Sequence, residues 1–240
     1  MRIKSFLLAV TATAALCSGV ASASTELIVN GNFESGDQGQ INWGGHQLAG
    51  WTTSGYNFLF NSGNVDNGGA AGQYGNLQLW GPNNGAANGL QASPVGGNFV
   101  ASDGAFGVAP LSQTVNGLTA GQQYSVSFYW AGAQQSGFSG ATTEQWHVSL
   151  GNQTQSTAVK TNANHGFTGW QKETFTFTAT SASEVLSFLA AGTPDGVPPF
   201  SLLDGVSMTS AVPEPQVLGM MGLGLGLVGF AARRRKAKAA

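Results

Sequence analysis

The sequence of 240 residues is poor in cysteine, in charge and, through most of its length, in cations. Its one cysteine, Cys17, lies in an apolar leader-like stretch, so the rest of the chain can build no disulfide framework, no thiolate nucleophile and no cysteine-ligated zinc site. Charged residues make up 8% of the chain, against roughly a quarter in ordinary domains. Between residues 24 and 211 the only cations are Lys160 and Lys172, and ten carboxylates leave that segment at a formal charge of −8. A surface so short of Lys and Arg has nothing with which to neutralise phosphates, which excludes nucleic acid as a partner.

What is abundant points to a folded, neutral-polar domain. Glycine occurs 36 times, yet 42% hydrophobic and 10% aromatic content gives a core to pack. Periodicity of 3.6 is absent over any long stretch, and period-two alternation recurs. Tyr124, Val126, Phe128 and Trp130 share one strand face, with Ser125 and Ser127 opposite. Trp146, Val148 and Leu150 alternate against Gln145, His147 and Ser149, and Phe175 and Phe177 against Thr174, Thr176 and Thr178. Further strands are expected at 26–29, 58–61, 76–80, 98–101, 111–115, 185–190 and 200–208. Gly-, Asn- and Pro-rich stretches separate them, and about ten strands of this kind predict an all-β, antiparallel two-sheet sandwich. The segments 36–56 and 62–97 carry few strand signals and are expected to be extended loops, where binding usually resides.

The two ends read as sorting segments. Arg2 and Lys4, an apolar run over 6–16 and the small-x-small exit Ala21-Ser22-Ala23 predict a cleaved signal peptide over 1–23. Leu16 stands just before Cys17, where a lipoprotein cleavage site needs a small residue. At the far end Val212-Pro213-Glu214-Pro215 precedes an apolar segment at 217–232 and a basic tail at 233–238. The basic cluster is expected to stay cytoplasmic, with the domain at 24–211 across the membrane. Sixteen residues at ~1.5 Å each reach about 24 Å, a marginal span for a transmembrane helix.

This order of Pro-Glu-Pro, short apolar helix and basic cluster over 212–240 resembles the PEP-CTERM sorting signal, also labelled an ice-binding protein C-terminal domain. The resemblance implies recognition by an exosortase, processing near Pro213, Glu214 and Pro215 after passage through the secretion machinery and signal peptidase, transient membrane insertion, and release to the cell surface or matrix of a bacterium that makes exopolysaccharide.

The middle carries a second resemblance. Leu27-Ile28-Val29-Asn30-Gly31-Asn32-Phe33-Glu34 with Gly50-Trp51, the stretches Leu111-Ser112-Gln113-Thr114 and Gly121-Gln122-Gln123-Tyr124, and Ser201-Leu202-Leu203-Asp204-Gly205-Val206-Ser207-Met208 are similar to galactose-binding-like jelly rolls, including carbohydrate-binding modules. In such folds the first and last strands often hold a structural calcium, which carries over to Glu34 and Asp204. Gly205 departs from the second Asp common there, and the alternative is that Glu34 bonds backbone while Asp204 caps a turn.

For chemistry, His46, His147 and His165 show no metal spacing, and nucleophile-elbow and phosphate-loop motifs are missing. Glu144, Glu173 and Glu184 fall on expected strands, the one arrangement from which a glycosidase pair could arise. For glycan binding, exposed rings among Asn and Gln are needed. Trp43, Tyr56 and Trp80 fit that need, with core burial as the competing expectation for each; Trp51 matches the buried Trp of the jelly rolls. The expected function is a non-catalytic, polysaccharide-associated surface module, with a matrix protein lacking a defined site as the alternative.

Overall fold

A computed structural model describes residues 25–211. The signal-peptide, Pro213-Glu214-Pro215, 217–232 and 233–238 assignments lie outside those residues. Within them no helix is long and apolar enough to cross a membrane.

Thirteen strands follow in chain order: β1 (Gly39–Gln40), β2 (Asn57–Asn61), β3 (Ala70–Gly72), β4 (Gly75–Leu77), β5 (Asn98–Asp103), β6 (Leu111–Asn116), β7 (Gln123–Gln134), β8 (Thr142–Leu150), β9 (Gln153–Ser156), β10 (Lys160–Asn162), β11 (Gln171–Thr178), β12 (Ser183–Thr193) and β13 (Pro199–Ser210). One sheet has six strands in the order β1-β2-β5-β13-β7-β11, the other runs β10-β8-β12-β6 with β9 also on β8, and β3 pairs with β4. The pairings are antiparallel throughout, so the two-sheet sandwich expected from the alternation, with the jelly-roll form that the resemblance implied, is the observed fold.

The alternating strands face each other across the main core. Tyr124, Val126, Phe128 and Trp130 of β7 meet Trp146, Val148 and Leu150 of β8 and Phe188 of β12. Phe188 sits at the centre, its ring 5.2 Å from Phe128, 6.0 Å from Trp146 and 6.2 Å from Trp51. Trp51 is buried in this core, as its match to the jelly rolls implied, and gives its indole N–H to the Asn30 carbonyl.

A second core lies on the outer face of the six-stranded sheet. Phe58 and Phe60 of β2, Phe99 and Ala101 of β5, Ala131 and Ala133 of β7, and Phe200 and Leu202 of β13 are covered by Val65, Ala70, Leu77 and Leu79. The segment 62–97 is therefore not an extended loop. It carries β3, β4 and a 3-10 turn at Pro82–Asn84 and forms a third layer. Its covering role explains why β2, β5 and the first half of β13 are buried on both faces, and why small Ala131 and Ala133 replace large residues on the covered side of β7. Among the described residues, the buried apolar side chains of both cores fall within 28–208.

The expected first strand at 26–29 does not form. The Glu26 carboxylate accepts the N–H groups of Leu27, Ile28 and Met208, taking the place of ladder partners, and a single backbone bond from Leu27 to Met208 ties the segment to β13.

Candidate functional site: an aromatic cleft at one end of the sandwich

The start of β2, the ends of β5 and β7, and the turn between β12 and β13 meet at one end of the molecule. The register fixes this, since Asn57 pairs with Ser102, Phe200 with Asp103 and Pro199 with Gln134. Tyr56 and Asp103 continue the outer-facing rows of Phe58 and Phe60 and of Phe99 and Ala101, so both emerge where the third layer ends.

There Tyr56, Tyr74, Asp103, Ala105, Phe106, Gln135, Phe138, Asp195, Gly196 and Pro198 line a cleft of about 300 Å³. Tyr56 forms its floor, buried, with its ring 4.7 Å from Phe58, 5.3 Å from Phe106 and 6.0 Å from Tyr74. The rim is open to solvent: Tyr74 is 71% exposed, Phe106 45% and Phe138 38%. Each rim ring stands in a turn that cannot bury it. Tyr74 occupies the tip between β3 and β4, Phe106 the turn after β5, and Phe138 the turn between β7 and β8.

The polar groups are acidic. Asp103 is 2% exposed, its Oδ1 accepts the N–H groups of Ala105 and Phe106, and its Oδ2 has no partner. Burial pushes its carboxyl up to about 6, and the nearby Asp195 charge adds to the rise against those two backbone bonds. Tyr56 is raised too, first by burial and then by the charges of Asp103 and Tyr74, which keeps its phenol a protonated donor. Rings offering stacking faces, a phenol donor and carboxylate acceptors can together hold a polyhydroxylated ring.

Of the residues singled out from the sequence, Tyr56 is in this cleft. Trp80 is half-buried beside it, stacked on His165 at 4.0 Å, with its indole N–H given to the Phe138 carbonyl. His165 borders a second, polar hollow of about 630 Å³ lined by Asn88, Asn162, Asn164 and Thr168. Trp43 is 39% exposed against the edge of His46 and does not line the cleft. The three histidines are half-buried, and His147 bonds Ser156.

The acids considered for a glycosidase do not converge. Glu144 lies opposite Gly192 on β12, and Glu184 is eight residues earlier on that strand, ~26 Å away at ~3.3 Å per residue. Glu173 is in the other sheet, on β11. Glu184 bonds Thr180 and Ser181, closing a turn, and Glu144 is sealed inside.

Glu34 and Asp204 are brought together on the covered face. Glu34 accepts the Asn98 N–H, and its carboxylate fills the space a side chain at Gly97 would need. Asp204 is buried, bonds the Gly205 N–H and Ser93, and leaves Oδ2 unpartnered. Burial is the main force pushing its carboxyl up to about 7, with the Glu34 charge adding to it. Gly205, with φ at +58°, makes the bulge that breaks the β13–β7 register after Asp204, a conformation an Asp would adopt with strain. An orphaned carboxylate oxygen beside a second carboxylate suits a hard cation, with Glu34, Asp204 and the Ser93 hydroxyl as its oxygens. No cluster of three or more His, Cys, Asp or Glu occurs among the described residues.

Residues 211–236 match the PEP-CTERM protein-sorting motif. The chain carries a PEP-CTERM sorting signal. A signal of this kind fits an exported, cell-surface-associated protein. Residues 91–208, from the approach to β5 through β13, match DUF642, a family of unknown function. No curated protein matches the chain significantly. Among solved structures, TmCBM61 in complex with β-1,4-galactotriose is similar at 16% identity, covering 78% of this chain and 100% of that one, with a TM-score of 0.43. The K3 cleaved adhesin domain of Lys-gingipain from Porphyromonas gingivalis is similar at 15% identity, 79% and 100% coverage and a TM-score of 0.41. The CBM22-1 xylan-binding domain from Paenibacillus barcinonensis Xyn10C is similar at 15%, with 81% and 100% coverage and a TM-score of 0.39. The fold is defined by the strand order above, not by these likenesses.

Proposed function

We propose that residues 24–211 form a non-catalytic glycan-binding module, delivered to the cell envelope by an exosortase that processes the chain near Pro213, Glu214 and Pro215. The observation that carries this reading is the cleft: three solvent-facing rings, Tyr74, Phe106 and Phe138, around a buried carboxylate with a free oxygen. A domain that exposes large rings side by side at one end, on glycine-flanked turns, presents a contact surface rather than scattered surface apolarity. Trp80 and the Asn-lined hollow lie next to it and extend the contact along a polysaccharide chain. Calcium between Glu34 and Asp204 has a structural role, toward the opposite end of β5.

The test is calorimetric titration of residues 24–211 with oligosaccharides from the host's exopolysaccharide. Saturable binding that weakens about tenfold or more, roughly 1.4 kcal/mol, in Tyr74→Ala is the expected outcome. Weak, unsaturable association indifferent to Tyr74 would replace the reading with that of a matrix protein without a site.

A further inference from the structure

We infer that the cleft takes a glycan bearing a protonated amino group, an amino sugar whose nitrogen is not acylated; this rests on the cleft being the glycan site. Two carboxylates, Asp103 and Asp195, line the cleft, and Lys, Arg and His are missing from its lining. The two cations of the domain lie elsewhere: Lys172 is 5.7 Å above the Tyr129 ring, and Lys160 is on β10 in register with Glu144.

Asp103 is the decisive group. Its Oδ1 is satisfied by two backbone N–H groups and its Oδ2, buried at the cleft wall, is not. A buried acceptor without a donor is costly, and a charged N–H donor supplies the strongest bond that can relieve it. A hydroxyl would satisfy one lone pair but leave Asp103 and Asp195 repelling each other, whereas an ammonium sits favourably between two anions. The rings reinforce the choice, because Tyr56, Tyr74, Phe106 and Phe138 offer the negative faces on which a cation is held. A formal charge of −8 over residues 24–211 draws a polycation and repels uronate- or sulfate-bearing chains. A sugar fits better than a lysine side chain because the lining rings are spread about one compact hollow, which matches a ring with a single amino substituent rather than a slender alkyl stem.

The experiment titrates residues 24–211 with four probes at low salt and pH 7: a glucosamine tetramer with free amines, its N-acetylated counterpart, a neutral β-1,4-galactose tetramer, and tetralysine. The free-amine sugar is expected to bind about tenfold tighter than either neutral sugar. In Asp103→Asn and, independently, in Asp195→Asn on an exposed turn, that preference should shrink to within about threefold, whatever either substitution does to the affinity for the neutral sugars. Neutral sugars binding as tightly as the amine would overturn this inference and leave the glycan-binding reading standing. Failure of all three sugars would overturn both, and tetralysine matching the amino sugar would overturn the assignment to a sugar.

Discussion

Replacing Glu144 with Gln removes an ionisable group from a place that disfavours its charge. Glu144 is fully buried on β8, accepts the Thr142 hydroxyl and an Asn162 bond, and leaves Oε2 unpartnered against Gly132 and the Thr168 methyl. Burial outweighs those two bonds and pushes its carboxyl from 4.5 to about 7. Because the folded value is raised, the folded state holds the proton more tightly than the unfolded chain does. Stability from this group is thus full at acid pH, falls as pH rises past the unfolded value, and reaches its floor above the folded one. At 1.36 kcal/mol per pKa step, the accumulated loss is about 3 kcal/mol at pH 8 and under about 1 kcal/mol at pH 5. Urea denaturation of both proteins at the two pH values reads this directly. Glu144→Gln should be the more stable protein at pH 8 by about 2 to 3 kcal/mol, with the gap mostly closed at pH 5. A constant gap at both pH values would refute the reasoning, since a packing or hydrogen-bond effect of the substitution does not titrate.

Phe188→Ala, which empties the ring site shared by Trp51, Phe128 and Trp146, should cost about 3–5 kcal/mol in denaturant unfolding, and a loss under 1 would place the core elsewhere. Calcium at 100 times its dissociation constant should raise unfolding stability by about 2.7 kcal/mol, an increment removed by chelator and absent in Asp204→Asn; an unchanged melting curve would reject the Glu34–Asp204 site. Tyr74→Ala should change stability by no more than about 0.5 kcal/mol, because the ring is 71% exposed, so a large loss would reassign Tyr74 from binding to packing.

The strands of the main core were legible because one of their faces is polar. Alternation in 124–130 and 146–150 places each residue correctly, and β7 and β8 cover those positions. The third layer was not legible, because 62–97 packs through single apolar residues such as Val65, Leu77 and Leu79 spaced among Asn and Gly, with no period to detect. Its trace lies in the strands it covers: the near-continuous runs at 57–61 and 98–103 signal burial on both faces. Likewise 26–29 reads as a strand by residue type, but a side-chain carboxylate supplies its partners, which periodicity does not encode.

The site was half legible. Tyr56, singled out from the sequence, lines the cleft, and Glu34 and Asp204, paired through the jelly-roll resemblance, stand close enough for one charge to act on the other. Tyr74, Phe106, Phe138 and Asp195 sit in short turns and Asp103 at the end of β5, positions that neither periodicity nor loop length marks. A signal for them exists: the rings fall in Gly72-Gln73-Tyr74-Gly75, Gly104-Ala105-Phe106-Gly107 and Gly137-Phe138-Ser139-Gly140, aromatic residues held in glycine-bounded turns that cannot bury them. Convergence of the three turns at one end depends on strand register, which the sequence pattern leaves open.

Glycan docking at the Tyr56–Tyr74–Phe106–Phe138 cleft can be located residue by residue, through NMR shift mapping of residues 24–211 with saturating oligosaccharide. Shifts should concentrate on those four rings and on the backbone amides of 103–107, 135–138 and 195–197, weakening through Trp80 and His165. Shifts centred on Trp43, or dispersed over the outer face without a focus at the cleft, would contradict it.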